Sequence, residues 1–192
     1  MTGAYNKSFN ELNLAGKGLT KVPNFEKYLT WSYRDDIWSI NLMNNDISEV
    51  DGELFKYFPN LKELNLSYNK IEKLDLDLTF LKELQIHKNN IKKLNIENIK
   101  TLNTLNIWYN DLTSLVDIRL PKNIKTLELQ HNKLTDLLWV SKLKKLEKLK
   151  LEFNELEDKN LWEIKDLENI KYITVKNNKL SKKLEDELEK IK

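Results

Sequence analysis

The residues with the most versatile chemistry in this sequence are the two histidines, His87 and His131, since the chain contains no cysteine. An imidazole can act as a general base or bind a metal ion, but either role needs further groups close by. The sequence contains no H-E-x-x-H motif, no glycine-rich phosphate loop and no G-x-S-x-G turn. Glu63 and Glu83 each follow a lysine, which is typical of a solvated charged surface. We therefore expect no enzyme activity, no cofactor and no metal site.

Aromatic side chains offer a different kind of chemistry, the recognition of a partner by contact. Trp108 and Tyr109 stand side by side in the stretch 102–112, which reads L-N-T-L-N-I-W-Y-N-D-L. Trp and Tyr bury a large area on binding at a low cost in conformational entropy, so they are enriched where proteins contact one another. Whether this pair can reach a partner depends on the element that holds it.

The stretch 102–112 is one copy of a repeated pattern, L-x-x-L-x-L-x-x-N-x-L. Seven of the eight copies have the asparagine, and the first has Lys17 in its place. The copies begin, at intervals of 20 to 28 residues, at Phe9, Ile37, Leu61, Leu81, Leu102, Ile124, Leu146 and Ile170. The L-x-L at the centre of each copy has period 2, which is expected of a short strand with one buried face. Because no copy can bury its leucines alone, the copies must stack on one another.

This pattern resembles the leucine-rich-repeat family, and the resemblance covers nearly the whole chain. The shorter copies are similar to those of internalin-like bacterial proteins and of phosphatase regulatory subunits. The resemblance implies an α/β solenoid, a right-handed superhelix of eight repeats with a concave parallel β-sheet. Its convex side should consist of turns with short 3₁₀ or α pieces. We expect a single domain over 1–192, with an N-terminal cap at 1–8, repeats at 9–180 and a helical C-terminal cap at 181–192.

The C-terminal segment has the signature of a short helix. Ser181 is a good N-cap residue, and Leu184, Leu188 and Ile191 would share one face of the helix that follows. The same pattern would also suit an amphipathic helix that binds a partner. The capping interpretation is favoured because the segment directly follows the last repeat.

In such a repeat, the strand residues between the leucines face the concave side. We therefore expect the third, fifth, seventh and eighth positions of each copy to be exposed there. Amides dominate the fifth position of the N-terminal copies, and aromatic residues gather at the seventh and eighth positions of the middle ones. The predicted binding face consists of Met43, Tyr68, His87, Asn106, Trp108, Tyr109, Gln130, His131 and Phe153. Trp108 is the sharpest signal, because nothing in the repeat requires a Trp there, whereas Trp139 and Trp162 fall in convex segments and are expected to pack.

These features favour a non-enzymatic module that binds a protein partner on its concave face. A glycan- or peptide-recognition module of the adhesin type, with Trp108 stacked on a sugar, and a scaffold whose concave face is unused are the alternatives. The net charge of +2 comes from 32 basic and 30 acidic residues spread evenly along the chain, so no nucleic-acid partner is expected. No apolar run reaches membrane-spanning length, the first residues lack a signal peptide and the chain has no cysteine, which favours a cytoplasmic protein without a membrane partner. We also expect the protein to be a monomer.

Overall fold

The computed structural model describes residues 4–8, 10–115, 118–161, 164 and 167–191, so Phe9 and Trp162 lie outside the described residues. The strands are short and follow the repeat. In chain order they are β1 (Tyr5–Asn6), β2 (Glu11–Asn13), β3 (Ser39–Asn41), β4 (Glu63–Asn65), β5 (Lys73–Asp75), β6 (Glu83–Gln85), β7 (Lys93–Asn95), β8 (Thr104–Asn106), β9 (Thr126–Glu128), β10 (Lys148–Lys150) and β11 (Tyr172–Thr174).

One sheet runs the length of the described chain in the order β1-β2-β3-β4-β6-β8-β9-β10-β11. The strands from β2 onward are parallel, and each comes from one copy of the repeat. The central apolar residue of each strand stands opposite its counterpart in the next strand, as Leu84 does with Leu105. These residues are buried, with Leu105 only 1% exposed. The predicted solenoid with a concave parallel sheet is therefore confirmed, because stacking is what removes the repeated leucines from water.

The repeated asparagine satisfies the backbone where each strand ends. The amide nitrogen of Asn110 donates to the carbonyl oxygens of Ile107 at 3.1 Å and of Ile86, one repeat earlier, at 3.2 Å. Its side-chain oxygen accepts from the backbone N–H of Ile91 at 2.9 Å. The same bonding recurs at the other asparagines of this position, so each one links its own repeat to the previous one. The series stops at the first copy, where Lys17 stands in place of asparagine and its backbone N–H donates to Oδ1 of Asn45 at 2.9 Å.

The side of the solenoid opposite the main sheet contains a second ladder that the sequence analysis did not predict. Strands β5 and β7 pair in parallel, and Asn95 extends the ladder through a bridge to Arg119. Leu74 and Leu94 at the centres of the two strands are each at most 2% exposed. The predicted short 3₁₀ pieces occupy Phe25–Lys27, Trp31–Asp36, Gly52–Tyr57, Val140–Lys142 and Asp158–Asn160. Trp139 is buried in this region, as expected of a packing residue.

Different elements cover the two ends of the solenoid. At the first end, β1 pairs with β2 in the antiparallel sense and so closes that edge of the sheet. At the other end lies α1 (Lys182–Leu188), whose first turn is capped when the Ser181 hydroxyl accepts from the N–H of Leu184 at 3.4 Å. Leu188 of this helix is buried in the hydrophobic core, and the predicted C-terminal helix is confirmed. Among the described residues, no helix combines the length and apolarity that crossing a membrane requires.

Candidate functional site

The eighth position of each repeat lies at a sharp backbone bend. Every residue there has a positive φ, between 50° and 65°, which is the left-handed region. The bend is stabilised between repeats, as when the N–H of Tyr109 donates to the carbonyl oxygen of Gln130 at 2.9 Å. A bulky residue is uncommon in this conformation and costs free energy there. The residues at this position are Gly16, Asn44, Tyr68, Lys88, Tyr109, His131, Phe153 and Asn177.

Because the same bend recurs at each strand end, successive side chains at this position run parallel to one another. Adjacent strands lie about 4.8 Å apart, close to the distance at which aromatic rings stack. Tyr109 stacks on His131 with ring centroids 4.0 Å apart, and His131 stacks on Phe153 at 4.2 Å. The seventh position joins the series, since His87 stacks on Trp108 at 4.3 Å. Edge contacts complete it, from Trp108 to Tyr109 at 5.2 Å and from Tyr68 to His87 at 5.4 Å.

We call this continuous series of rings the aromatic rail; its members are Tyr68, His87, Trp108, Tyr109, His131 and Phe153. It crosses the third to the seventh repeats along the concave sheet. Tyr68, Tyr109 and Phe153 are 39%, 45% and 47% exposed, and the rings of Trp108 and His131 are half-buried. The structure thus brings together most of the residues that the sequence selected as a binding face.

His87 differs from the expectation for its position. We expected it to be exposed on the concave face, which is wrong, because only 8% of its surface is accessible. It lies between the rings of Tyr68 and Trp108, and its Nδ1 is 2.8 Å from the hydroxyl of Ser67, which is fully buried. Burial, with a smaller contribution from the Lys88 ammonium and opposed by Glu128, lowers the pKa of His87 to about 4.

The Ser67–His87 pair is therefore structural. A neutral histidine beside a serine hydroxyl is the geometry of a nucleophile and its base. Here, however, the hydroxyl has no accessible surface, so a substrate cannot reach it. Among the described residues, no group of three or more His, Cys, Asp and Glu side chains is placed to hold a metal ion.

Lys88 is a member of this site that the sequence analysis did not select. Its Nζ lies 4.6 Å from the centroid of the Tyr68 ring, 5.1 Å from that of Tyr109 and 5.5 Å from that of Trp108. These distances are those of cation–π contacts. The signal in the sequence was its place at the eighth position, between two copies that carry tyrosine there.

The remaining residues selected from the sequence lie beside the rail rather than in it. Met43 is at the seventh position of the second repeat, before the rail begins, and is half-buried. Asn106 is the last residue of β8 and Gln130 follows β9, directly before His131 of the rail, and within the described chain their side-chain oxygens are buried without a hydrogen-bond partner. The same holds for Oε2 of Glu152, which follows β10, and for the hydroxyl of Thr174 at the end of β11. Such atoms are rare in folded proteins, because leaving them unpaired costs free energy.

Known proteins share both the repeat and the fold. The sequence profile described as "Leucine rich repeat" matches residues 38–91. Osteomodulin of Rattus norvegicus is 34% identical over 85 residues, which are 41% of this chain and only 20% of that protein. This chain therefore matches about a fifth of the length of this relative.

Solved structures show the same solenoid at lower identity. YopM from Yersinia enterocolitica superimposes with a TM-score of 0.68 at 21% identity, over 91% of this chain and 35% of that one. An internalin, InlF, from Listeria monocytogenes superimposes with a TM-score of 0.58 at 19% identity, over 89% of this chain and 56% of that one. The parallel sheet, the asparagine ladder and these matches agree that the chain has the leucine-rich-repeat fold.

Proposed function

We propose that this protein is a non-enzymatic module that binds a protein partner on its concave face, with the aromatic rail as the anchor of the interface. Leucine-rich-repeat domains are generally protein–protein interaction modules. The observation that carries the proposal for this face is the rail itself, a continuous series of six rings, four of which stand at the strained eighth position.

Backbone strain at the eighth position supports a binding role. Asn and Gly occupy the left-handed region at lower cost than Tyr or Phe, and this chain uses them at the eighth position only at its ends, as Gly16, Asn44 and Asn177. In the middle repeats the same bend carries aromatic residues, including Tyr109 and Phe153. Strained backbone positions are concentrated at functional sites.

The rail is also preorganised. Each ring is held by stacked or edge contacts with its neighbours, so it has little conformational freedom to lose when a partner binds. Tyr109 and Phe153 remain nearly half-exposed in this ordered state. Aromatic side chains that are exposed and already ordered before binding are typical of the residues that dominate the free energy of a protein interface.

Polar groups next to the rail support the same proposal. The unpaired oxygens of Asn106 and Gln130 would gain hydrogen bonds if their side chains turned toward donors on a partner. Sugar recognition has less support, because sugars stack on open ring faces and His87 covers one face of Trp108 at 4.3 Å. The arrangement therefore favours a protein surface that contacts ring edges and amides together.

The test is affinity capture of partners followed by measurement of the dissociation constant for variants. Trp108→Ala and Tyr109→Ala should each weaken binding by more than about 1 kcal/mol. Tyr57→Ala is the matched control, since Tyr57 is 50% exposed at the end of a 3₁₀ helix away from the sheet. Equal affinities for Tyr109→Ala and Tyr57→Ala with every recovered partner would refute the concave site.

A further inference from the structure

We propose that the aromatic rail recognises a carboxylate side chain of its protein partner, with Lys88 as the residue that binds it. This proposal rests on the proposed function and specifies the chemistry of the partner. The expected occupant is a segment that carries Asp or Glu flanked by apolar side chains. The apolar flanks would rest on the exposed rings of Tyr109 and Phe153.

Lys88 lies within the series of rings. It is the one charged residue at the eighth position. At this position, Tyr68 precedes it in the third repeat and Tyr109 follows it in the fifth. Its backbone lies in the left-handed bend, with φ at 52°, and its N–H donates to the carbonyl oxygen of Trp108 at 3.0 Å. The ammonium is therefore held among the rings rather than extended into solvent, 4.6 Å from Tyr68 and 5.1 Å from Tyr109.

The Lys88 ammonium differs from the other lysines of the concave face in its ion pairing. The other lysines at the concave positions are each paired: Lys148 and Lys150 with Glu128, at 3.4 and 2.8 Å, and Lys176 with Glu189 at 3.3 Å. Within the part of the chain that the structure describes, the Lys88 ammonium is not among the groups with a carboxylate inside 4.0 Å. It is thus a half-buried cation whose counter-charge is not supplied by the fold around it.

The rings around Lys88 add to this preference. Where rings are stacked, their negative faces cover one another and their positive edges point outward. Trp108 and His87 stack within 9° of parallel, and Tyr109 and His131 within 15°. An anion that approaches Lys88 beside these stacked pairs would be attracted by the ammonium and by the edges of the stacked rings. A cation would meet Lys88 and be repelled.

A carboxylate bound there would form a charge-assisted hydrogen bond in a partly desolvated setting. Such a bond is shorter and stronger than one between neutral groups. Apolar groups of the partner on either side would exclude water from it, and this is how a charge pair contributes to specificity. Lys88 would thus select the partner, whereas the rings would supply most of the buried area.

The experiment is selection of a random peptide-display library on the folded protein, followed by affinity measurement with synthetic peptides. On the wild type, we expect enrichment of peptides with Asp or Glu next to apolar residues. Lys88→Gln should weaken a selected peptide by about tenfold or more, since removing one partner of a buried charge pair has effects of this size. Lys88→Arg should retain binding, and Lys88→Glu should select peptides with Lys or Arg instead. Lys144→Gln, an exposed lysine in the turn before β10, controls for the change in net charge.

The outcomes separate this proposal from the one on which it rests. Peptides that need Tyr109 and Phe153 but are indifferent to Lys88→Gln and Lys88→Glu would overturn the carboxylate proposal and leave rail binding intact. Enrichment of basic peptides on the wild type would overturn it as well. Selection that yields no peptide sensitive to Tyr109→Ala would count against the rail as a binding surface and against both proposals. Circular dichroism of each variant identifies any loss of binding that comes from unfolding.

Discussion

Trp108 lies flat against His87, with ring centroids 4.3 Å apart and planes 9° from parallel. This contact links a buried histidine to the exposed part of the aromatic rail. It orders the indole ring, covers one of its faces and removes the imidazole from water. The neutral form of His87 is therefore part of the structure that presents Trp108 and its neighbour Tyr109 to a partner.

Acid should destabilise the protein through His87 before most carboxylates are affected. Its folded-state pKa, about 4, lies below the ordinary value of 6.5, because burial disfavours the charged ring. The stability that this group contributes is fully present above pH 6.5 and is lost as the pH falls toward the folded-state pKa. At pH 5 the loss should be on the order of 2 kcal/mol. Urea unfolding at pH 7 and pH 5 measures it.

The control is His87→Gln, which removes the titrating ring while keeping a polar side chain next to Ser67. Its free energy of unfolding should change much less than that of the wild type between pH 7 and pH 5. The Lys88 ammonium and the Glu128 carboxylate, the charges that act on His87, are the same in both proteins. Parallel pH profiles would mean that His87 titrates normally in the folded state.

The asparagine ladder should contribute strongly to stability. Asn89 is 6% exposed, donates to the carbonyl oxygens of Leu66 and Ile86 at 3.0 and 3.2 Å, and accepts from the N–H of Ile71 at 3.0 Å. Asn89→Ala leaves these buried groups unpaired and should cost about 3 kcal/mol. The neighbouring Asn90 is exposed, so Asn90→Ala should change the free energy of unfolding by no more than about 0.5 kcal/mol. Similar midpoints in denaturant for the two variants would contradict the ladder's role.

The bend at the eighth position should distinguish residues by backbone preference. His131 has a φ of 52°. Asn tolerates this conformation, whereas the β-branched Val does not. Both substitutions remove the ring from the stack, so His131→Val should be less stable than His131→Asn by about 1–2 kcal/mol from the backbone alone. Thermal or urea unfolding of the pair checks this, and a more stable Val variant would show that the bend relaxes.

The main sheet could be predicted from sequence because its cause is local and repeated. The period-2 pattern identifies residues such as Leu105 as buried. The repeat places Asn110 at a fixed number of residues after the strand. The second ladder does not follow from the repeat pattern, although Leu74 and Leu76 show the same period, because that pattern accounts for only one strand per repeat. Its short strands become visible only when the stacking of copies brings β5 beside β7.

The site was predictable in outline but not in its contacts. The position of Tyr109 in the repeat indicated exposure, and the structure agrees. The burial of His87 and the placement of Lys88 among three rings depend on neighbours 20 or more residues away in sequence. Such contacts depend on side-chain packing between repeats, which a pattern within one repeat does not specify.

The central claim is that the partner binds the aromatic rail, and the dissociation constants of Phe153→Ala and Phe80→Ala test it most directly. Both residues are exposed phenylalanines, 47% and 54% accessible, but Phe153 ends the rail and Phe80 lies in the turn before β6. We predict that Phe153→Ala weakens binding of a captured partner by about tenfold and that Phe80→Ala leaves it unchanged. Loss of affinity with Phe80→Ala and none with Phe153→Ala would contradict the account.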